Sequence, residues 1–172
     1  HIVSRGYKGQ FRGTFLVNPK KHKSDQVGDE PLLMSEFTPV WVSKKRKNGI
    51  AAAERAGAQI VLLDDGYQDP SINKDFSFVV VDGKKGFHLL KKESFDLVLC
   101  DIKMPKMDGI EVLQKAKNSK INTPFIMLTG HGNVETAVEA MKLGAYDFIS
   151  KPPDLNRLLT SVRHALENKY LR

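Results

Sequence analysis

The chain has 172 residues, of which 41% are hydrophobic. This apolar content is sufficient for one ordinary domain or two small ones, and it excludes a disordered chain. The formal net charge of +7 is spread evenly, with 14 basic and 10 acidic residues before Phe87 and 13 and 10 after it. The even spread excludes a dedicated basic arm of the kind that binds nucleic acid.

Cysteine content and hydropathy bear on location. Cys100 is the only cysteine, so an internal disulfide is excluded and a reducing compartment, most simply the cytoplasm, is favoured. No apolar run approaches the roughly 20 residues that span a bilayer. The start at His1 resembles the end of a strand whose earlier part is missing, and no signal-like segment is expected.

The first half has an irregular pattern. Residues 8–31 are rich in Lys, Gly, Asp and Pro and are expected to form a loop, whereas residues 40–42, 60–63 and 78–81 are expected to be strands. The basic run 44–47 is interpreted as a solvated loop end, with phosphate contact as the alternative. A helix is predicted over residues 49–56. A domain boundary is expected near Phe87, giving segments 1–87 and 88–172.

The second half alternates short apolar runs with amphipathic stretches. Strands are predicted at residues 97–100, 125–128 and 146–149, and helices at residues 109–117 and from Val134 to a stop at Gly144. Asp154 is expected to cap a final helix with one apolar stripe. This alternation predicts an α/β fold with a parallel sheet and flanking helices.

Three chemically distinct side chains follow the three predicted strands of the second half. They are the carboxylate of Asp101, the hydroxyl of Thr129 and the ammonium of Lys151. The carboxyl ends of parallel strands meet at one edge of a sheet, where ligands bind in open α/β folds. A nucleophile, a hydrogen-bond partner and a counter-charge at one point suit a phosphoryl group. Singly, each residue has a structural interpretation as a turn, a cap or a surface cation.

Three motifs in order carry a family resemblance. Residues 101–109 (DIKMPKMDG), residues 128–131 (LTGH) and Lys151-Pro152 resemble the receiver domains of two-component response regulators, and residues 151–159 resemble receivers that precede sigma-54-dependent activators. The resemblance implies a flavodoxin-like arrangement. It also implies that a histidine kinase phosphorylates this half of the chain.

The receiver resemblance assigns roles to individual residues. Asp101 would be the phosphoacceptor, Thr129 the hydroxyl that moves toward the phosphoryl group, Lys151 the cation and Phe148 the aromatic switch, while Pro105 and Gly109 would shape the loop after the acceptor. A homodimer through the last helices and strands is implied by analogy. No output domain or nucleic-acid-binding domain is expected within these residues.

Receivers also imply Mg²⁺, a hard cation that prefers oxygen ligands. The resemblance assigns it to Asp101 and to an acidic pair at the tip of a first strand. Asp64 and Asp65, which follow an apolar run, are the adjacent pair that fits this description. We therefore predict that the first half supplies a surrogate first strand to a composite five-stranded sheet, with a metal shared by Asp101 and this pair.

The first half resembles another family. Residues 4–7 (SRGY), 27–33 (VGDEPLL), 61–68 (VLLDDGYQ) and 79–83 (VVVDG) are similar to tetraacyldisaccharide 4'-kinase, a P-loop-kinase-like α/β enzyme of lipid A biosynthesis. The resemblance assigns Asp64 and Asp65 to Mg²⁺-ATP and Asp29 to the base that activates the sugar hydroxyl.

The kinase resemblance is partial. The phosphate loop G-x-x-x-x-G-K-[ST] does not occur in the sequence and would lie before His1, so this half is expected to be inactive as a lipid kinase. A receiver is not a conventional enzyme. The hypotheses are thus a phosphorelay receiver, a fragment of the lipid kinase, or an inactive fusion of the two.

Overall fold

The chain divides between Val79 and Val80 in the computed structural model. The structure describes residues 1–130 and 134–170, so His131 of the predicted motif lies outside the described residues. Phe87, where the sequence placed the boundary, lies within a helix and its side chain packs against the core of the second unit. In the described part of the chain, no helix combines the length and the apolar character needed to cross a bilayer.

The first unit has a four-stranded sheet. Its elements in chain order are β1 (Ile2–Ser4), β2 (Thr14–Leu16), α1 (Ser24–Val27), α2 (Asp29–Met34), β3 (Val40–Ser43), α3 (Arg46–Arg55) and β4 (Leu62–Leu63). The strand order is β2-β3-β1-β4. Strand β1 runs parallel to β3 and β4, whereas β2 pairs with β3 in the antiparallel sense.

Aliphatic side chains from strands and loops fill the core of this unit. Val40 and Val42 of β3 are buried with Val17 and Val27. Helix α3 presents small buried residues, Ala52 among them, and contacts three strands of the sheet. The region predicted as loop, residues 8–31, therefore contains β2, α1 and α2, and that prediction is wrong. Pairing of β2 with β3 overrides a local composition rich in Gly and Lys.

The second unit is a three-stranded parallel sheet with helices on both faces. Its elements are α4 (Gly83–Leu90), β5 (Val98–Asp101), α5 (Gly109–Asn118), β6 (Phe125–Thr129), α6 (Val134–Lys142), β7 (Asp147–Ser150) and α7 (Leu155–Tyr170). Strand β6 lies in the middle, between β5 and β7. Asp101 aligns with Leu128, and Thr129 aligns with Ser150.

Alternation along β6 sends its side chains to two separate clusters. Phe125 and Met127 are fully buried in the cluster that includes residues of α4, α5 and α6, whereas Ile126 is buried with Ile149 and the α7 residue Ala165. A strand buried on both faces has this continuous apolar character. The α/β fold class, with parallel sheets and flanking helices, is confirmed.

Helix ends in the second unit have the expected polar partners. The carboxylate of Asp154 accepts a hydrogen bond from the Arg157 N–H at 2.8 Å, which confirms the predicted cap of α7. Asp108 caps α5 and Asp82 caps α4 in the same way. Gly144, with φ of +89°, follows α6 where the sequence predicted a stop.

Two predictions about strands are wrong. Residues 78–81 form no strand, although their β-branched and aromatic composition predicted one, because a strand also needs a hydrogen-bonding neighbour and this segment has none in the described structure. The composite five-stranded sheet is not formed either. Strand β4, which precedes Asp64, pairs with β1 in one sheet, and Asp101 ends β5 in another.

Candidate functional site

The candidate site of the second unit lies at the carboxyl end of its parallel sheet. Asp101 is the last residue of β5, Thr129 is the last residue of the neighbouring strand β6, and Lys151 directly follows β7. The backbone continues this register past the strand ends, since the Lys151 N–H donates to the Thr129 carbonyl at 2.7 Å. The sheet therefore brings the three side chains to one edge, as the sequence predicted.

An ion pair dominates the geometry of this edge. The Lys151 ammonium donates to Oδ2 of Asp101 at 2.5 Å, and the side chains are 42% and 34% exposed. The other carboxylate oxygen, Oδ1, accepts only a longer hydrogen bond, from the Lys103 N–H at 3.2 Å. One oxygen of Asp101 is therefore strongly held, and the other faces a weaker donor and solvent.

The hydroxyl of Thr129 is buried beside this pair in the sheet register. Its residue is 6% exposed, and Oγ1 donates to the Gly130 carbonyl at 3.2 Å. A rotation about χ1 releases this local hydrogen bond without moving the strand. Thr129 thus has a donor that is available for an anion near Asp101.

The loop after Asp101 is packed closely against the strand. The Gly109 N–H donates to the Ile102 carbonyl at 2.9 Å, and a Cβ added to Gly109 would lie 2.3 Å from the Asp101 carbonyl oxygen. Only glycine allows this approach. Lys106 within the loop has φ of +69°, a left-handed conformation that is uncommon for residues other than glycine. Gly109, predicted to shape this loop, is the residue that permits its close return.

Cys100 precedes the acceptor and is buried. Burial, followed by the charges of Asp101 and Asp108, raises the pKa of the Cys100 thiol to about 12. The thiol is therefore protonated at neutral pH and a poor nucleophile. This agrees with the structural interpretation of Cys100 rather than with a second reactive group at the site.

Phe148 lies within β7 and is half-buried. The guanidinium carbon of Arg157 is 5.9 Å from the centre of the Phe148 ring, and the same guanidinium donates to the Phe148 carbonyl at 3.1 Å. Arg157 therefore contacts the predicted aromatic switch through both its ring and its backbone. Sequence reasoning did not identify Arg157, and its position in the first turn of α7 gives no distinguishing signal.

The acidic pair of the first unit has its own partners. Oδ2 of Asp64 accepts a hydrogen bond from the Ser4 hydroxyl at 2.8 Å, which connects the ends of β1 and β4. The Arg46 guanidinium donates to the carbonyls of Asp64 and Asp65 at 2.8 and 2.7 Å and lies 3.6 Å from the Asp69 carboxylate. Hydrogen bonds from Ser71 lower the pKa of Asp69, and Arg46 adds to the effect.

The position of Arg46 corrects one prediction and adds a residue. The run 44–47 was interpreted as a solvated loop end, yet the Arg46 side chain is buried and its Nε has no hydrogen-bond partner in the described structure. An Arg within a run of Lys was the only available signal. Asp29, the predicted base, lies exposed at the first position of α2.

A magnesium site was tested against the donors that each unit supplies. In the second unit, Asp101 is the one carboxylate that the three strand ends bring to the site, and Lys151 already holds one of its oxygens. Within residues 1–130 and 134–170, no group of three or more His, Cys, Asp or Glu side chains is arranged to hold a metal. The donors within the second unit do not fit a magnesium site by themselves. The predicted site shared with Asp64 and Asp65 depended on a composite sheet that is not formed.

Comparison with known families divides the chain in the same two parts. Residues 1–91 match the family described as tetraacyldisaccharide-1-P 4'-kinase, and residues 73–163 match the response regulator receiver domain. The two matches overlap over residues 73–91. Each covers slightly more than half of the chain.

Individual relatives give the same division. The tetraacyldisaccharide 4'-kinase of Dinoroseobacter shibae is 54% identical over 87 residues, which are 51% of this chain and 26% of that protein. The chain thus spans about a quarter of the length of the curated relatives that it matches.

Solved structures resemble the chain through the receiver fold. The signal receiver domain of a putative Luxo repressor protein from Vibrio parahaemolyticus is 27% identical with a TM-score of 0.52, over 74% of this chain and 87% of that one. The receiver domain of the Francisella response regulator 1452 is 23% identical with a TM-score of 0.51, over 73% and 92% of the two chains. The second comparison bears on the fold alone.

Proposed function

We propose that this chain, which belongs to the tetraacyldisaccharide-1-P 4'-kinase family over residues 1–91 and to the response regulator receiver domain family over residues 73–163, accepts a phosphoryl group on Asp101 in phosphorelay signalling. The observation that carries the proposal is the ion pair between Asp101 and Lys151 at a strand edge that also presents Thr129. The donor is a histidine kinase, the partner that receiver domains imply.

The transfer is a nucleophilic displacement at phosphorus. Oδ1 of Asp101 attacks while Lys151 holds Oδ2, which fixes the carboxylate plane and leaves one oxygen directed away from the ammonium. The Asp101 O–P bond forms as the N–P bond of phosphohistidine breaks, and the electron pair of that bond remains on the imidazole. The product is an aspartyl phosphate.

Charge on the phosphoryl oxygens is offset by groups of this chain. The Lys151 ammonium is in place before transfer, and the Thr129 hydroxyl can exchange its hydrogen bond to the Gly130 carbonyl for one to a phosphoryl oxygen. Receiver domains generally bind Mg²⁺, a hard cation that offsets such charge. Because the donors of the second unit alone do not fit the metal, every step here is assigned to protein groups.

Phe148 and Arg157 are proposed to report the phosphorylated state. Movement of Thr129 toward a phosphoryl group leaves space at the end of β6, next to β7. Phe148 is half-buried and its ring can change rotamer into such space, which would break the contact with the Arg157 guanidinium. A cytoplasmic location is part of the proposal, in agreement with a free, buried Cys100.

Phosphorylation by acetyl phosphate tests the proposal. Intact-mass analysis of the full chain, with and without Mg²⁺, is expected to show the addition of one phosphoryl group, which is absent in Asp101→Asn. Glu135→Gln, which removes an exposed carboxylate from α6, is the matched control and should be labelled like the parent. Equal labelling of the parent and Asp101→Asn would contradict the assignment of the acceptor.

The alternative function is phosphorylation of a lipid disaccharide by the first unit. It is favoured by 54% identity to a kinase over 87 residues, and it would use Asp29, Asp64 and Asp65. Nucleotide titration of the full chain separates the two proposals. Binding of ATP in the micromolar range that is lost in Asp64→Asn would support the kinase, whereas no binding together with labelling at Asp101 supports the receiver.

A further inference from the structure

Strand β5 is an edge strand with an unpaired side. The N–H groups of Val98 and Ile102 donate to the Pro124 and Leu128 carbonyls, both at 2.9 Å, on the side of β6. Backbone groups alternate along a strand, so those of Leu99 and Asp101 point to the opposite side. Among the described residues no strand pairs there. Parallel strands are ordinarily covered, yet Leu99 is 44% exposed.

A second unpaired feature directly precedes α4. Residues 76–81 (FSFVVV), here called the 76–81 segment, contain no charged side chain and consist mainly of strand-forming residues. Phe78 is 83% exposed and Val80 is 96% exposed. The segment pairs with no strand in the part of the chain that the structure describes. An apolar, strand-forming segment without a neighbour is a typical element for pairing between chains.

The attachment of this segment to α4 limits where it can pair. A single residue, Asp82, separates it from α4, and the Asp82 carboxylate accepts the Lys85 N–H at 2.9 Å as the helix cap. A Cβ on Gly83 would lie 2.5 Å from the Met107 carbonyl oxygen, so the start of α4 is packed tightly against the loop after β5. The base of the segment is thus fixed within its own chain, while its side chains remain uncovered there.

We propose that the 76–81 segment of one copy of this chain adds as a strand to the free edge of β5 in a second copy. Each copy offers one such segment and one such edge, so reciprocal exchange satisfies both and closes as a two-fold dimer. The partner's segment would cover Leu99 and pair with backbone groups next to Asp101. The inference concerns self-association only and does not rest on phosphoryl transfer.

Sedimentation velocity of the full chain over a range of concentrations measures the association. The parent is expected to form a dimer that dissociates on dilution. Val80→Lys and Leu99→Lys should each weaken it at least tenfold, since each places a charge in the added strand or against it. Leu159→Lys, at an exposed position of α7, is the matched control and should leave the dimer unchanged.

Cross-linking identifies the residues that meet. Val80→Cys and Leu99→Cys, prepared as separate proteins and mixed, are expected to give an inter-chain disulfide that neither forms as efficiently alone. Circular dichroism confirms that each variant is folded, and Val80→Pro, which removes a backbone donor at an exposed position, provides a second disruption.

Several outcomes would overturn the proposal. A parent that stays monomeric, or a dimer unaffected by Val80→Lys and Val80→Pro, excludes the segment as the added strand. A dimer lost only in Leu159→Lys assigns association to the face of α7. An intramolecular disulfide in the double variant Val80→Cys/Leu99→Cys at high dilution shows that the chain's own segment occupies the edge.

Discussion

The ammonium of Lys151 lies 2.5 Å from Oδ2 of Asp101, a residue 50 positions earlier in the chain and two strands away in the sheet. The two side chains are 42% and 34% exposed, so solvent screens much of their attraction. A pair of this kind contributes about 0–1 kcal/mol to stability. Its stronger effect is on position, because it fixes the orientation of the proposed acceptor.

Lys151→Met is therefore expected to separate function from stability. The rate of labelling of Asp101 by acetyl phosphate should fall at least tenfold, because the carboxylate loses the cation that orients it and offsets charge on the phosphoryl group. The free energy of unfolding, measured by urea denaturation, should change by less than about 1 kcal/mol. Lys142→Met, a cation in the last turn of α6, is the control. Unchanged labelling in Lys151→Met would contradict the role of the pair.

Gly109→Ala is expected to destabilise the second unit. The added Cβ would lie 2.3 Å from the Asp101 carbonyl oxygen, a backbone atom that cannot move without shifting the strand. We expect a loss of about 1–3 kcal/mol, the range for forced overpacking, and slower labelling of Asp101. Thermal unfolding followed by circular dichroism measures it.

Gly86→Ala is the matched control for this substitution. Gly86 lies within α4, and its added Cβ would be 3.4 Å from a Val81 methyl group, an ordinary contact. Alanine is favoured over glycine in helix interiors by up to about 1 kcal/mol, so stability should be unchanged or slightly higher. Equal losses in the two variants would show that the close approach at Gly109 is not the cause.

The pKa of Cys100 predicts a dependence of stability on alkaline pH. The unfolded thiol ionises near its ordinary pKa of 9.0, whereas the folded thiol ionises near 12. As the pH rises from 9 toward 12, the unfolded state loses its proton first, so the free energy of unfolding falls over this range. Below pH 9 both states are protonated and this contribution is constant.

Urea denaturation of the parent and of Cys100→Ala at pH 8 and pH 10 measures this difference. Lysine and tyrosine ionisation affects both proteins equally and cancels in the comparison. The parent should lose more stability than the variant between the two pH values. A thiol reagent should also react with the native protein at pH 8 far more slowly than with the unfolded one. A parent and a variant with the same pH dependence would contradict the raised pKa.

Arg46→Lys tests the hydrogen bonds around the acidic pair. The guanidinium donates to two carbonyls, those of Asp64 and Asp65, from a buried position that an ammonium cannot serve with the same geometry. We expect a loss of about 2 kcal/mol in the stability of the first unit, followed by the fluorescence of Trp41, which lies in β3. The exposed neighbour in Lys47→Ala should change stability by less than about 0.5 kcal/mol.

Local pattern was sufficient where an element is long and well packed. The apolar alternation around β5, β6 and β7 and the caps at Asp154 and Gly144 predicted the second unit closely. It failed where non-local pairing decides. Strand β2 exists because β3 lies beside it, and residues 78–81 remain unpaired although their composition is typical of a strand.

The site was predictable to the extent that it follows from strand ends. Asp101, Thr129 and Lys151 meet at one edge because parallel strands share a direction, which the sequence pattern already indicated. The metal ligands could not be predicted in this way. Asp64 follows an apolar run, but its strand is too short for the pattern to indicate its partner, and the observed partner is β1.

The alternating burial of β6 has a consequence for the position of Thr129. Phe125 and Met127 enter one cluster and Ile126 the other, so a shift of the strand by one residue would exchange the two sets and turn Thr129 to the opposite face of the sheet. The orientation of the hydroxyl is thus decided by side chains that never approach the phosphoryl group. Substitutions in the interior of β6 should consequently appear in phosphorylation assays as defects of aim.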